Sequence, residues 1–440
     1  MNANKSIRYG LLGGIFLVPF IPLIIAPSLF FPFVTGKNFA FRIITEIILA
    51  LWLILLFKDA SYRPKKSWLL WAIVAFVSII ALADIFGANF SKSFWSNYER
   101  MEGLITHLHL LAYFLVASSV LITEKLWDRF FQTSLVVSVV MAGYGFLQLL
   151  GKIVINQGGV RIDATFGNAT YLAVYALFHI FLAWFLFARE KSNFWLKALY
   201  VTAIALNSII LYYTATRGAI LGLIAGVFIT LVFIAIFEKE NKLAKKLSLA
   251  TIIGIIALGG IFLSIRKTTF VEKSQTLNRL ASISFEEFKT EARFTVWGMA
   301  IQGFKENPVL GYGEENFNLV FNKYYDPRIY NQEQWFDRAH NVFLDWLIAG
   351  GLLGILAYLS IFACAIYCLW RRMNISLISK SVLTGLFAGY FFHNLFVFDN
   401  IVSYIMFFSV LAYIHSQTAM KEIFPVAEGR ERKNFEDIYV

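Results

Sequence analysis

The chain has 440 residues, of which 58% are hydrophobic and 15% charged, with a formal net charge of +11. Soluble domains are about 45–50% apolar and about 25% charged, so this composition excludes soluble, disordered and disulfide-scaffold proteins. The basic residues lie in short clusters between apolar runs, which is typical of membrane topology and not of nucleic-acid binding. We therefore expect an all-α polytopic membrane protein in contact with membrane lipid, with no nucleic-acid partner.

Apolar runs long enough to cross a bilayer recur along the chain. A spanning helix needs about 20 mostly apolar residues. About twelve spans are predicted, at 11–31, 39–57, 68–86, 104–122, 130–149, 171–187, 196–214, 219–237, 247–265, 342–370, 382–398 and 401–420. The chain then divides into spans one to nine (1–265), an outer loop domain (266–339), spans ten to twelve (340–420) and a charged tail (421–440).

Orientation follows from the basic residues, most of which fall in every second connection. Lys65 and Lys66 precede the third predicted span, and Arg371 and Arg372 follow the tenth. Because Lys and Arg collect in cytoplasmic loops, these connections and both termini are predicted to be cytoplasmic. The protein is then a multi-pass membrane protein whose 266–339 loop lies on the outer side.

The long outer loop is predicted to contain an amphipathic helix. Ser284 and Glu287 form a capping box, and Pro308 would end the helix. Apolar residues follow at helical spacing, namely Phe285, Phe288, Ala292, Val296, Ala300 and Phe304. Loops of this length without spans are usually functional, so this segment is expected to contribute to a site.

Several ionisable residues are predicted to emerge together on the outer face. Arg217 lies between two spans and is followed by Gly218, Gly222 and Gly226, a spacing that allows close helix packing. Arg293 and Trp297 would share one helix face. Arg338 and His340 precede the tenth span.

Guanidinium groups bind phosphate in a two-point fork, and an imidazole can accept a proton from a hydroxyl, so these residues suit glycosyl transfer from a lipid diphosphate. The structural alternative is that Arg217 snorkels at a helix end, that Arg293 is a solvated residue of an amphipathic helix, and that His340 is an interfacial residue with its hydrogen bonds satisfied.

Three motifs in this part of the chain resemble those of the O-antigen ligase and O-antigen polymerase superfamily. They are Thr216-Arg217-Gly218-Ala219, the block Arg293-x3-Trp297 with Pro308-x2-Gly311-x-Gly313 and Phe317, and His340-Asn341-x9-Gly351-x2-Gly354. The order of the spans and the long loop between the ninth and tenth are also similar to that superfamily.

The resemblance implies a membrane glycosyltransferase that moves a glycan from an undecaprenyl-diphosphate carrier to an acceptor hydroxyl on the periplasmic side. It implies an inverting reaction with no metal and no cofactor. Arg217 and Arg293 would hold the diphosphate, and His340 would activate or position the acceptor hydroxyl. An O-antigen ligase with a lipid A–core acceptor is favoured. A polymerase, a protein O-oligosaccharyltransferase and, more distantly, a small-solute transporter are the alternatives.

Other residues are expected at the substrate on narrower grounds. Arg338 and Asn341 adjoin His340, and Trp297 accompanies Arg293. Asn168 and Tyr171 lie in a Gly-Asn-x-x-Tyr-Leu-Ala turn similar to one in the family, although Ala169-Thr170 stands where the family often has Pro-Asn. Arg100 belongs to an aromatic outer segment, 93–103. The other ionisable residues are interpreted as structural. Asp84 and Asp163 are expected near the outer ends of spans, where water is available.

Overall fold

The computed structural model describes residues 3–283 and 292–419, and these residues form helices without strands. The α-helices are α1 Ala3–Leu17, α2 Thr35–Lys58, α3 Trp68–Phe86, α4 Phe90–Trp95, α5 Leu104–Val120, α6 Glu124–Leu149, α7 Ala169–Arg189, α8 Phe194–Tyr213, α9 Arg217–Phe237, α10 Lys242–Ile265, α11 Thr269–Lys273, α12 Gln275–Ala281, α13 Ala292–Glu306, α14 Phe317–Lys323, α15 Val342–Tyr367, α16 Leu377–Asn394 and α17 Ile401–Ala419. The predicted all-α membrane bundle is confirmed.

Every predicted span overlaps one helix. Within the described ranges, ten helices are long and apolar enough to cross a membrane, and α5 is a shorter apolar helix. The expected count of about twelve is therefore not confirmed. The first predicted span was placed too late, because the α-helix ends at Leu17 and Val18–Leu23, which contains Pro19 and Pro22, continues as a 3-10 helix.

The predicted close approach at the glycines of α9 is present. A Cβ atom on Gly226 would lie 2.4 Å from the carbonyl oxygen of Gly385, and one on Gly222 would lie 2.6 Å from that of Gly389. Small residues on both helices therefore let α9 and α16 pack backbone to backbone. This contact fixes the start of α9, where Arg217 stands.

The directions of the helices define two faces of the bundle. We call the end where α7, α9, α15 and α17 begin the cleft face, and the end where α3, α6, α8 and α16 begin the basic face. At the basic face, Arg189 at the end of α7 lies 3.1 Å from Glu124 and 3.2 Å from Asp128 of α6. At the cleft face, the long loop between α10 and α15 folds over the span ends.

The long loop is joined to α15 through backbone hydrogen bonds at a break in that helix. Gly351 has φ +61° and ψ −156°, so α15 consists of two helical pieces. The freed carbonyls of Ile348 and Ala349 accept from Tyr312 (2.8 Å) and Gly313 (2.9 Å), and Leu352 donates to Pro308 (2.8 Å). The glycine and proline motifs noted in the sequence thus dock the loop onto the helix.

Buried polar groups tie the other loops of the cleft face together. The Lys37 ammonium donates to the carbonyls of Ile24 (2.7 Å), Phe33 (2.8 Å) and Thr165 (2.8 Å). Asp84 and Asp163 are fully buried, so their expected placement near water was wrong. Each carboxylate accepts hydrogen bonds from folded loop segments, Asp84 from the Glu314 backbone N–H (2.7 Å) and Asp163 from that of Gln157 (2.7 Å).

Candidate active site

A cleft between the loops and the start of α9 gathers four arginines. We call it the arginine cleft. Its lining residues are Arg161, Thr170, Thr216, Arg217, Gly218, Leu221, Arg279, Ile283, Arg293, Phe294, Trp297, Phe396 and Val397. Its volume of about 130 Å³ suits a small anionic headgroup rather than a whole drug-sized ligand, for which pockets are larger.

Arg217 and Arg293 reach this cleft from elements far apart in sequence. Arg217 is the first residue of α9, entered through a turn in which Ala215 has φ +48°. Its Nη1 donates to the Ser282 hydroxyl at 3.4 Å. Arg293 lies in the first turn of α13, and its Nη1 donates to the Phe396 carbonyl at 3.1 Å. The predicted meeting of the two guanidiniums on one face is therefore observed.

Arg161 and Arg279 complete the set of guanidiniums. Arg161 Nε donates to the Thr214 carbonyl (2.8 Å), and its Nη2 donates to the Thr216 hydroxyl (3.0 Å), which places it beside the start of α9. Burial, together with the nearby Arg279, Arg293 and Arg217, lowers the pKa of Arg161 to about 10. Their mutual influence shows that four cationic groups share one small region.

Trp297 connects the arginine cleft to the segment that carries His340. It lies one turn after Arg293 on α13 and lines the same cleft, as the spacing predicted. Its indole Nε1 donates to the Ala339 carbonyl at 3.0 Å, and its ring centroid lies 6.4 Å from that of Phe396. The residue immediately before His340 is thereby fixed against the cleft wall.

His340 adjoins the cleft rather than lining it, and its backbone is unusual. Its φ of +55° is in the left-handed region, which non-glycine residues rarely adopt and which is often found at functional positions. Its ring stands edge-on between Phe336 (centroids 5.2 Å apart) and Phe398 (5.0 Å). Phe398 follows Phe396 and Val397 of the cleft lining closely, so the imidazole lies next to the arginines.

The imidazole of His340 is neutral at neutral pH. Burial, together with the nearby Arg293 guanidinium, lowers its pKa to about 4. Nδ1 lies 3.3 Å from the Arg338 carbonyl oxygen. Because a carbonyl only accepts, Nδ1 carries the proton in this contact, and Nε2 keeps a lone pair that can accept one.

Arg100 and Tyr171 both contact the ring of Phe398. The Arg100 guanidinium stands 4.4 Å above the Phe398 ring, and its Nη1 donates to the Tyr171 hydroxyl at 3.1 Å. Burial alone would raise the pKa of Asp337, but the Arg100 guanidinium and its hydrogen bonds lower it. These residues therefore surround the ring that packs on His340.

Of the six expected substrate-binding residues, only Trp297 lines the cleft; Arg100, Tyr171, Arg338, Asn341 and Asn168 do not, and they have structural partners instead. Arg338 has a side chain only 12% exposed and pairs with Glu102 (3.2 Å) and Glu315. The Asn341 side chain caps α15 by accepting from the backbone N–H groups of Phe343 and Leu344, and that of Asn168 caps α7 in the same way. These ion pairs and helix caps stabilise the segments next to the cleft.

No metal-ion site is recognisable among the described residues, since they contain no group of three or more His, Cys, Asp or Glu side chains placed to share an ion. Arg161 and Arg279 were not singled out in the sequence. Both lie in connections that the sequence predicts to be on the outer side, so applying the topology argument to every such arginine would have included them.

The comparison with protein families matches the part of the chain that holds these residues. Residues 202–359 match the family described as O-antigen ligase (Wzy_C). This part of the chain is similar to an O-antigen ligase family domain. This domain contains Arg217, Arg279, Arg293, Trp297 and His340, and it confirms the resemblance drawn from the motifs.

The O-antigen ligase family domain supports a membrane enzyme that transfers glycans. It does not separate a ligase from a polymerase. Arg100 and Arg161 come from chain segments before the matched residues and join the site only through the fold. No curated protein gives a significant match to the sequence.

Proposed function

We propose that this protein transfers a glycan from an undecaprenyl-diphosphate carrier to an acceptor hydroxyl on the periplasmic face of the inner membrane. The proposed type is an O-antigen ligase with lipid A–core as acceptor. The observation that carries the proposal is the convergence of four arginines in one cleft beside the neutral imidazole of His340.

The arginine cleft is assigned to the diphosphate of the donor. Guanidinium groups remain charged in partly dry sites and bind phosphate oxygens in two-point forks. Arg217 and Arg293, with Arg161 and Arg279 beside them, would hold the headgroup at the membrane edge. As the diphosphate leaves, negative charge grows on its oxygens, and cations already in position stabilise that charge. A metal ion is not part of this proposal.

His340 is assigned to the acceptor. Its Nε2 accepts the proton of the acceptor hydroxyl as the oxygen attacks the anomeric carbon of the lipid-linked sugar. The bond between that carbon and the diphosphate oxygen breaks, and its electron pair leaves with undecaprenyl diphosphate. A single displacement of this kind inverts the anomeric configuration. The Nδ1 contact with the Arg338 carbonyl would stabilise the protonated ring until it returns the proton to solvent.

The test is a transfer assay on the purified, full-length protein with one lipid-linked glycan and three rival acceptors. The acceptors are lipid A–core, a second lipid-linked repeat and a protein. We expect lipid A–core to be glycosylated; product on the second repeat or on the protein would instead assign a polymerase or a protein O-oligosaccharyltransferase.

The site assignment is tested in the same assay with Arg217→Ala and His340→Ala variants. Both should insert into the membrane and lose transfer. Normal rates in either variant would remove that residue from the mechanism. Labelling single cysteines placed at 217, 293 and 340 with an impermeant reagent tests the proposed periplasmic side independently of activity.

A further inference from the structure

A cavity larger than the arginine cleft lies on the basic face, at the opposite end of the bundle. Its volume is about 490 Å³, and it is lined by Lys66, Ser67, Trp68, Trp71, Cys368, Arg372 and Thr418. It opens between the start of α3 and the ends of α15 and α17. A proposed role in glycan transfer on the other face does not account for it.

Two tryptophans give this cavity an apolar side. Trp68 is 64% exposed and Trp71 is 54% exposed, which is unusual for the largest hydrophobic side chain. Three residues apart, they lie on neighbouring positions of the first turn of α3. Tryptophan rings at the end of a spanning helix sit at the level of lipid headgroups and upper acyl chains. The exposed rings are thus suited to contact lipid.

Two cations give the same cavity a charged side. Lys66 precedes α3, and Arg372 ends a short π-helix, Cys368–Arg372, that follows α15. Both side chains are exposed, and neither forms an ion pair with a residue that the structure describes. π-Helical turns are rare and frequently occur at functional positions. A basic pocket between helix ends, open to the membrane edge, favours an anionic headgroup.

The floor of the cavity is held in place by hydrogen bonds. The Ser67 hydroxyl accepts from the Leu70 backbone N–H at 3.0 Å and contacts Nδ1 of His415 on α17 at 2.7 Å. The Met373 backbone N–H donates to the Cys368 carbonyl at 3.1 Å and closes the π-helical turn. The Ser67–His415 contact thus joins α3 to α17, and the Met373–Cys368 bond fixes the turn that follows α15.

We propose that this cavity binds one anionic diacyl phospholipid, with its phosphate at Lys66 and Arg372 and an acyl chain along Trp68 and Trp71. Basic residues that only set topology would need no cavity and no exposed rings beside them. A free phosphate ion would leave both rings uncovered. The inference is independent of the glycan-transfer proposal.

The experiment is native mass spectrometry of the delipidated full-length protein with added phosphatidylglycerol or phosphatidylcholine of identical acyl chains. The wild type should bind phosphatidylglycerol more tightly. The double variant Lys66→Gln/Arg372→Gln should lose this preference, by about fivefold for each cation removed. Trp68→Ala/Trp71→Ala should weaken both lipids, because it removes the acyl-chain contact while keeping the charges.

A double variant with the same change in net charge serves as the control. Lys58 and Arg63 are exposed basic residues on the same face, outside the cavity. Lys58→Gln/Arg63→Gln should keep the wild-type preference. Equal loss in both double variants, no preference in the wild type, or displacement of the lipid by millimolar inorganic phosphate would each overturn the proposal.

Discussion

Arg100 and Asp337 form a two-point ion pair, with 2.9 Å from Nε to Oδ2 and 3.2 Å from Nη2 to Oδ1. The next residue, Arg338, pairs in the opposite sense with Glu102. The segment before α5 therefore holds both residues: its Arg100 pairs with Asp337, and its Glu102 pairs with Arg338. His340 follows directly, so these pairs determine where its imidazole stands.

Asp337→Asn should lower transfer at least about tenfold, mainly through kcat, because it displaces the group that receives the acceptor proton while the donor cleft is unchanged. Steady-state kinetics measure this split. The double variant Arg100→Asp/Asp337→Arg exchanges the two charges and restores the ion pair, so it should recover part of the lost transfer rate. Asp326→Asn removes the exposed pair with Arg328 in the same loop and should change the rate less than about twofold. A rise in donor KM alone would contradict the positioning role.

Arg217→Lys and Arg293→Lys should each reduce transfer by more than about tenfold. Lysine keeps the charge but cannot make the two-point contact with phosphate oxygens. Initial rates at saturating donor measure the effect. Arg266→Lys, at an exposed outer position away from the cleft, is the matched control and should be near wild type. Full activity of both lysine variants would mean that charge alone is required.

Arg161→Gln should raise the KM for the lipid-linked donor at least about fivefold, since it removes a charged hydrogen-bond donor from the cleft. The change in kcat is expected to be smaller than the change in the donor KM. Lys152→Gln removes an exposed charge from the same connection and should leave the donor KM unchanged. An unchanged KM in Arg161→Gln would restrict this arginine to its contacts with Thr214 and Thr216.

The pH profile of kcat/KM should reflect a histidine whose pKa lies below that of an ordinary histidine. Burial and Arg293 lower the pKa of His340 to about 4, so the neutral ring persists where an ordinary histidine is charged. We therefore expect a flat profile from pH 7 to pH 5 and a fall below that. Bound diphosphate would favour the cation, so the inflection in kcat should lie at higher pH. An inflection of kcat/KM near pH 6.5 would contradict a buried His340.

Gly351→Ala should lower the thermal unfolding midpoint and abolish transfer. With φ +61° and ψ −156°, this backbone conformation costs a residue with a Cβ about 1–3 kcal/mol, and that Cβ would lie 2.4 Å from the Val309 carbonyl carbon. Gly298→Ala is the control, because its Cβ meets nothing within 4 Å and α13 continues through it. An unfolding midpoint of Gly351→Ala equal to the wild type would show that the docked loop does not depend on this break.

Much of the fold follows from apolar periodicity, because each spanning helix is recognisable from local sequence alone. The positions of α3 and α9 were predicted to within two residues. The buried state of Asp84 was not, since it depends on the Glu314 backbone 230 residues away. The capping box at Ser284 and Glu287, with Phe285 and Phe288, lies outside the described residues.

The residues of the site also fall into two groups: those that local sequence predicts, and those whose position depends on contacts distant in sequence. Arg293 and Trp297 were placed together by helical spacing, and Arg217 by topology. Arg161 reaches the cleft from an irregular segment with no periodic signal. Arg338 was expected at the substrate because it is adjacent to His340, whereas Glu102 and Glu315 occupy its guanidinium. Sequence adjacency does not reveal such pairing.

The backbone bonds between 308–313 and the broken α15 make the loop a stiff continuation of a membrane helix. A lid swinging about this junction would have to break several main-chain hydrogen bonds at once. The loop must therefore follow α15 whenever that helix tilts. Bilayer thickness affects helix tilt. The surrounding lipid would therefore influence the distance between His340 and the arginines.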